Sequence, residues 1–138
     1  MIPLSSKLEA REQEFVEIMK MLEEHQFALG GNWDYKHGSF DRYLDEAHKV
    51  WLRIPFDVIN GNLDGETEEN DAKIRLGQPY VLKHVYNEGL DPEAQPRTLG
   101  GLVDQFQPPL DPDAPVEQKW IEEARSKLEQ VEQLFPNG

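Results

Sequence analysis

The sequence contains no cysteine among its 138 residues. Disulfides, thiol nucleophiles, iron–sulfur clusters and cysteine-based zinc sites are therefore excluded. Basic residues are scarce: 14 Lys and Arg stand against 27 Asp and Glu, a net charge of −13. Sequence-independent binding to a phosphate backbone rests on clustered cations, so no nucleic-acid partner is expected. No apolar run approaches the roughly 18 residues that cross a bilayer. The opening segment Met1-Ile2-Pro3-Leu4-Ser5-Ser6 lacks the basic and apolar regions of a signal peptide. A soluble, cytoplasmic chain with no membrane partner is the expectation. Internal repeats and low-complexity segments are also lacking. What is present is the composition of an acidic globular protein, 38% hydrophobic and 30% charged. The length fits a single domain over residues 1–138 that can bury its own core.

Two helical stretches bracket a middle with the period of strands. Ser6-Lys7-Leu8-Glu9 matches a capping box. Leu8, Phe15, Ile18, Met19 and Leu22 then fall on one helical stripe, so the spacing predicts a helix from Ser6 to about His25. Phe27, Leu29, Trp33 and Tyr35 alternate as in a half-buried strand, and Phe40–Leu44 returns after a turn. In Val50–Ile59, residues Val50, Leu52, Ile54, Phe56 and Val58 share one face. Pro55 lacks an N–H for a ladder, which predicts an edge or a bulge there. A further strand is expected within Lys73–Leu76 and Tyr80–Tyr86, broken at Gly77-Gln78-Pro79. Residues 87–115 hold six of the ten prolines and read mainly as loop, with a short strand at Leu102–Gln107. The last helix is predicted to open near Asp113-Ala114-Pro115. Its apolar stripe is Val116, Trp120, Ala124, Leu128, Val131, Leu134 and Phe135. Helix, strands on short turns, then helix gives an α+β fold. An antiparallel, curved sheet of about four to six strands packs against the N-terminal helix and the long C-terminal helix.

The segment Trp33–Asp41 is chemically the most suggestive. A two-residue His37-Gly38 loop would set Tyr35 opposite Phe40 on the core face and Asp34 opposite Asp41 on the other. Two like charges facing each other cost stability and call for an offset from Lys36, His37, Arg53, water or a cation. Asp34, His37 and Asp41 are thus a candidate metal set, with a solvated hairpin as the plainer alternative. Asn60–Asp71 resembles a twelve-residue calcium loop in spacing, but Asn60 replaces the leading Asp, Asp71 is shorter than the usual Glu, and the flanks read as strands. An exposed acidic hairpin loop is the simpler expectation. Trp33, Trp51, Tyr80, Tyr86 and His84 form a candidate ligand-binding set, lining an apolar cavity beneath the sheet together with Trp120. His84, inside an apolar strand, also fits a buried, hydrogen-bonded imidazole. No nucleophile elbow, phosphate-binding glycine loop or His-x-x-x-His spacing occurs, and no catalytic set is nominated.

Met1–Glu9 followed by Gly30-Gly31-Asn32-Trp33-Asp34-Tyr35-Lys36-His37-Gly38-Ser39-Phe40-Asp41 resembles the YugN-like proteins of Bacillus and its relatives. Leu52–Phe56, Arg75–Pro79, Lys83–Tyr86, Gly89–Asp91, Asp104–Pro108 and Asp111–Ala114 extend the likeness over nearly the whole chain. The resemblance implies a small α+β fold and a cytoplasmic protein of Gram-positive bacteria. It brings no activity, cofactor or catalytic residue. The expected function is a non-enzymatic module that binds a small molecule or a protein partner. The alternatives are a homo-oligomeric structural protein and, behind it, a metal-dependent enzyme using Asp34, His37 and Asp41.

Overall fold

The computed structural model describes residues 1–63, 71–84 and 115–135. Its elements are β1 (Ile2–Pro3), β2 (Glu12–Glu14), α1 (Phe15–Glu23), β3 (Ala28–Leu29), β4 (His37–Tyr43), β5 (Val50–Asn60), β6 (Lys73–Leu76), β7 (Tyr80–Lys83) and α2 (Gln118–Glu132). Among the described residues all seven strands join one antiparallel, unclosed sheet with the helices beside it, an α+β architecture. The count exceeds the expected four to six because β1, β2 and β3 are two or three residues long, too short to carry a period.

The organising strand is β5. Val50, Leu52, Ile54 and Phe56 are 2%, 0%, 0% and 3% exposed, the alternation a strand with one buried face requires. Along one side it pairs with all of β4, from His37↔Asp57 to Tyr43↔Trp51. Along the other it pairs with β7 at Val50–Arg53 and with β6 from Phe56 onward. The expectation that Pro55 marks an edge or a bulge is corrected, because β5 is central and its irregularity lies at Val58/Asn60. The Pro55 carbonyl accepts the Gly77 amide at 2.8 Å. A strand residue points its nitrogen and carbonyl the same way, so the missing N–H faces the break between β6 and β7. The proline sits in the one stretch of β5 that has no ladder partner on that side.

The N-terminal expectation is also corrected. Residues 7–10 form a turn, and α1 starts only at Phe15. The Ser6 hydroxyl accepts the Leu8 amide at 3.1 Å, and Ala10 takes a left-handed φ of 67°. Pairing of Glu12–Glu14 with Lys73–Arg75 wins over the helix, helped by a 2.7 Å Arg75–Glu12 ion pair. Leu8 is buried from the turn, so its place on the helical stripe was coincidental.

The hairpin register differs as well. Ala28 and Leu29 pair with Asp41 and Phe40, and the turn between the strands spans residues 30–36. Tyr35 therefore lies on that turn, 72% exposed, and does not face Phe40. Phe40 instead contacts Phe15 at 5.5 Å and Phe56 at 4.9 Å between ring centroids. The Phe56 ring lies over Gly38, where a Cβ would meet its Cζ at 2.5 Å. On α2, Ala124, Leu128 and Val131 are buried in the same core, with Phe135 just beyond, as the stripe predicted. Trp120 is only partly buried against it. The predicted strand at Leu102–Gln107 lies outside the described residues.

Candidate functional site

Alternation along β5 turns Trp51 and Arg53 to the face opposite Leu52 and Ile54, away from the buried core. Cross-strand partners share a face. The pairs Tyr43↔Trp51, Asp41↔Arg53 and Arg53↔Tyr80 therefore gather five polar and aromatic side chains there.

An ion pair forms the centre. Arg53 donates through Nε to Asp41 Oδ1 at 3.0 Å and through Nη2 to Oδ2 at 3.1 Å. The Ser39 hydroxyl donates to the same Asp41 Oδ1 at 2.8 Å. The two charged side chains are only 22% and 11% exposed. Burial works to lower the Arg53 pKa, but the Asp41 carboxylate and Tyr80 together raise it, so the guanidinium is firmly charged. Bidentate geometry of this kind is strong and directional. Its close fit depends on Gly30, where a Cβ would lie 2.6 Å from Asp41 Oδ2 and 2.8 Å from Ser39 Oγ.

Beside the pair stands an aromatic shelf. The Trp51 indole N–H donates to the His48 carbonyl at 2.7 Å. Tyr43 stacks on His48 with centroids 3.7 Å apart, and Trp51 meets Tyr43 edge-on at 5.8 Å. His48 has a left-handed φ of 58°, a conformation that costs free energy unless its surroundings enforce it. The enforcement is visible: Asp45 Oδ1 accepts the amides of Lys49 and Val50 at 2.8 and 2.9 Å, closing the loop that carries His48. His84 meets Trp51 edge-on at 6.4 Å, and its amide bonds the Lys49 carbonyl at 2.8 Å. Burial, then the Arg53 charge, lowers the His84 pKa, with Asp41 opposing, so the imidazole is neutral near pH 7.

Of the candidate ligand-binding set, Trp51, Tyr80 and His84 share this cluster. It lies on the sheet face away from the core, which corrects the expected cavity beneath the sheet. Trp33 sits apart on the 30–36 turn, 36% exposed. Tyr86 lies outside the described residues.

The candidate metal set is not assembled. Asp34 Oδ1 accepts the amides of Lys36 and His37 at 2.7 and 2.8 Å, which hold its pKa below the ordinary carboxylate value. His37 Nδ1 lies 3.2 Å from Asp34, and its Nε2 lies 3.9 Å from Asp57. Asp41 is paired with Ala28 and Arg53 instead. Among the described residues no group of three His, Asp or Glu could hold a metal ion. The register decides this: the longer turn leaves Asp34 outside the ladder and carries Asp41 to β5. In the calcium-like segment, Asp71 Oδ1 accepts the Asn62 amide at 3.1 Å and closes the loop, while residues 64–70 lie outside the description.

Sequence reasoning missed Ser39, Tyr43 and His48, and it named Arg53 only as one of several groups that could offset Asp34 and Asp41. The available signal was the equal spacing of Asp41–Tyr43 and Trp51–Arg53 about a short connection, which pairs each residue of one set with one of the other. Using it required recognising that Phe40–Leu44 pairs with Val50–Ile59.

Comparison with known proteins places these features in context. The model of the YugN-like family matches residues 3–135. The uncharacterized protein YugN of Bacillus subtilis is 30% identical over 139 residues, covering 98% of this chain and 98% of that one. The crystal structure of an uncharacterized conserved protein YugN from Geobacillus kaustophilus superposes with a TM-score of 0.53 at 23% identity. That likeness covers 96% of this chain and 99% of the other, and it bears on the fold.

Proposed function

Given that the chain belongs to the YugN-like family, we propose that it is a non-enzymatic, cytoplasmic binding module that takes a small molecule on the sheet face bearing Trp51. The observation that carries this is the aromatic shelf of Tyr43, His48 and Trp51 beside the Asp41–Arg53 pair. Tyr43 is 46% exposed at the edge of the shelf, so a planar ligand has an aromatic surface to stack on. Asp41 is already held by Arg53 and Ser39, which suits a fixed, orienting group better than a proton carrier. Among the described residues no helix is long and apolar enough to cross a membrane.

The test is native mass spectrometry of the protein purified from its own host, beside Trp51→Ala and Trp33→Ala variants. A copurifying small molecule is expected on the unaltered chain and on Trp33→Ala, and its loss is expected on Trp51→Ala. An empty protein, or a ligand retained by Trp51→Ala, would overturn the proposal. The exposed Trp33 and Tyr35 favour a second reading, self-association through the 30–36 turn, which the same spectrum would show as a dimer lost in Trp33→Ala.

A further inference from the structure

We propose that residues 5–9 form a clasp that holds α2 on the sheet through Glu132, making α2 an element that can open separately from the strands. The clasp is anchored at both ends. The Leu4 amide bonds the Pro79 carbonyl at 2.9 Å, and the Ala10 amide bonds the Leu76 carbonyl at 2.8 Å. Leu76 in turn donates to the Arg11 carbonyl at 2.9 Å. Between these anchors the chain arches away from β6 and β7 and meets the end of α2.

There Glu132 Oε2 accepts two donors, the Ser6 hydroxyl at 2.7 Å and the Lys7 amide at 2.9 Å. These residues are 126 and 125 positions away in sequence, so the carboxylate ties one end of the described chain to the other. An open cavity of about 330 Å³ beside the contact is lined by Ser5, Ser6, Lys7, Glu9 and Glu132, so water reaches the catch. A second contact lies one turn on, where the Arg11 guanidinium stands 4.5 Å over the Phe135 ring. Beneath the clasp Leu4, Leu8, Val131 and Phe135 are all at most 4% exposed.

The backbone hydrogen bonds of α2 are its own, whereas the strands share theirs along ladders. Among the described residues the helix is held by its apolar stripe, the attraction between Glu123 and Arg42, and this polar catch. Elements held by side chains at one face form natural units of local opening. The placement of Glu132 points the same way. An acidic residue at the end of a helix opposes the helix dipole, so its presence there is explained by the two donors it receives.

Hydrogen–deuterium exchange on the full chain tests the device, with Glu132→Ala, Ser6→Ala and the double variant. Glu132→Ala is expected to speed exchange of the α2 amides and of the Lys7 amide about tenfold, the scale of a lost charge-assisted hydrogen bond. Exchange in β4 and β5 should stay unchanged. Ser6→Ala, the milder change, should speed α2 less and leave Lys7 protected, and the double variant should be no faster than Glu132→Ala. The dipole alone would make Glu132→Ala slower. Unchanged or slower α2 exchange, an equal acceleration in β4 and β5, or additive effects of the two substitutions would each overturn the proposal.

Discussion

Gly30 and Gly31 stand side by side in different surroundings. A Cβ on Gly30 would run into Asp41 and Ser39, while one on Gly31 meets nothing within 4 Å. Gly30→Ala should therefore destabilise the fold by about 1–3 kcal/mol through overpacking, and Gly31→Ala should change it by less than about 0.5 kcal/mol. Urea unfolding of the two variants measures the difference. Asp41→Asn tests the pair itself. It keeps the shape but removes the charge that faces a mostly buried guanidinium, and a loss of about 2–3 kcal/mol is expected by the same measurement. His84 supplies a pH dependence of definite sign. Its folded pKa is lowered from the ordinary 6.5, so the unfolded chain binds the proton more readily. Its contribution to stability is complete above about pH 6.5 and declines as the pH falls toward the folded value. Chemical unfolding at about pH 7.5 and about pH 5.5 should show the decline, and His84→Gln should reduce it. The residue types in these contacts were legible in the sequence, since Asp41 and His84 were both singled out there. Arg53 was named there only as one of several possible neighbours of Asp41, because the register that sets it directly across is not visible in a sequence.

Among the elements, β5 and α2 were the most legible. Both are long and each repeats its apolar residues with one period, which is the signal that burial of one face leaves in a sequence. Leu128, 2% exposed on α2, should cost about 2–5 kcal/mol when truncated to Ala. The same stripe argument found Phe15, Ile18, Met19 and Leu22 on the first helix but started it too early, because Leu8 reaches the core from a turn and nothing in a period separates the two cases. Residues 12–14 were read through as helix because a three-residue strand has too few positions to show alternation. Pro55 was read correctly as lacking a ladder bond and wrongly as marking an edge or a bulge. The break at Gly77–Pro79 was itself visible, and joining the two facts would have put that break opposite the proline. Pro55→Ala should accordingly cost no more than about 1 kcal/mol, chiefly through the freer unfolded chain, as thermal unfolding would show.

Over the whole molecule the charge of −13 disfavours a polyanionic partner and identifies no favoured one. On the sheet face that carries the site the acidity is locally cancelled, Asp41 against Arg53, and aromatic surface collects around a loop held in a costly conformation. The two sides of the sheet thus have separate work. One buries the core under α1 and α2, and the other carries the cluster proposed as the binding surface. The most direct measurement of that division is a pair of ¹H–¹⁵N correlation spectra, of the protein with its copurifying ligand and of the protein stripped of it. Shifts are expected at the Trp51 indole N–H and at the amides of Tyr43, His48, Arg53 and His84, with Ile18, Leu128 and Val131 unmoved. Shifts centred on the α1 and α2 side, with the Trp51 indole unmoved, would contradict the assignment.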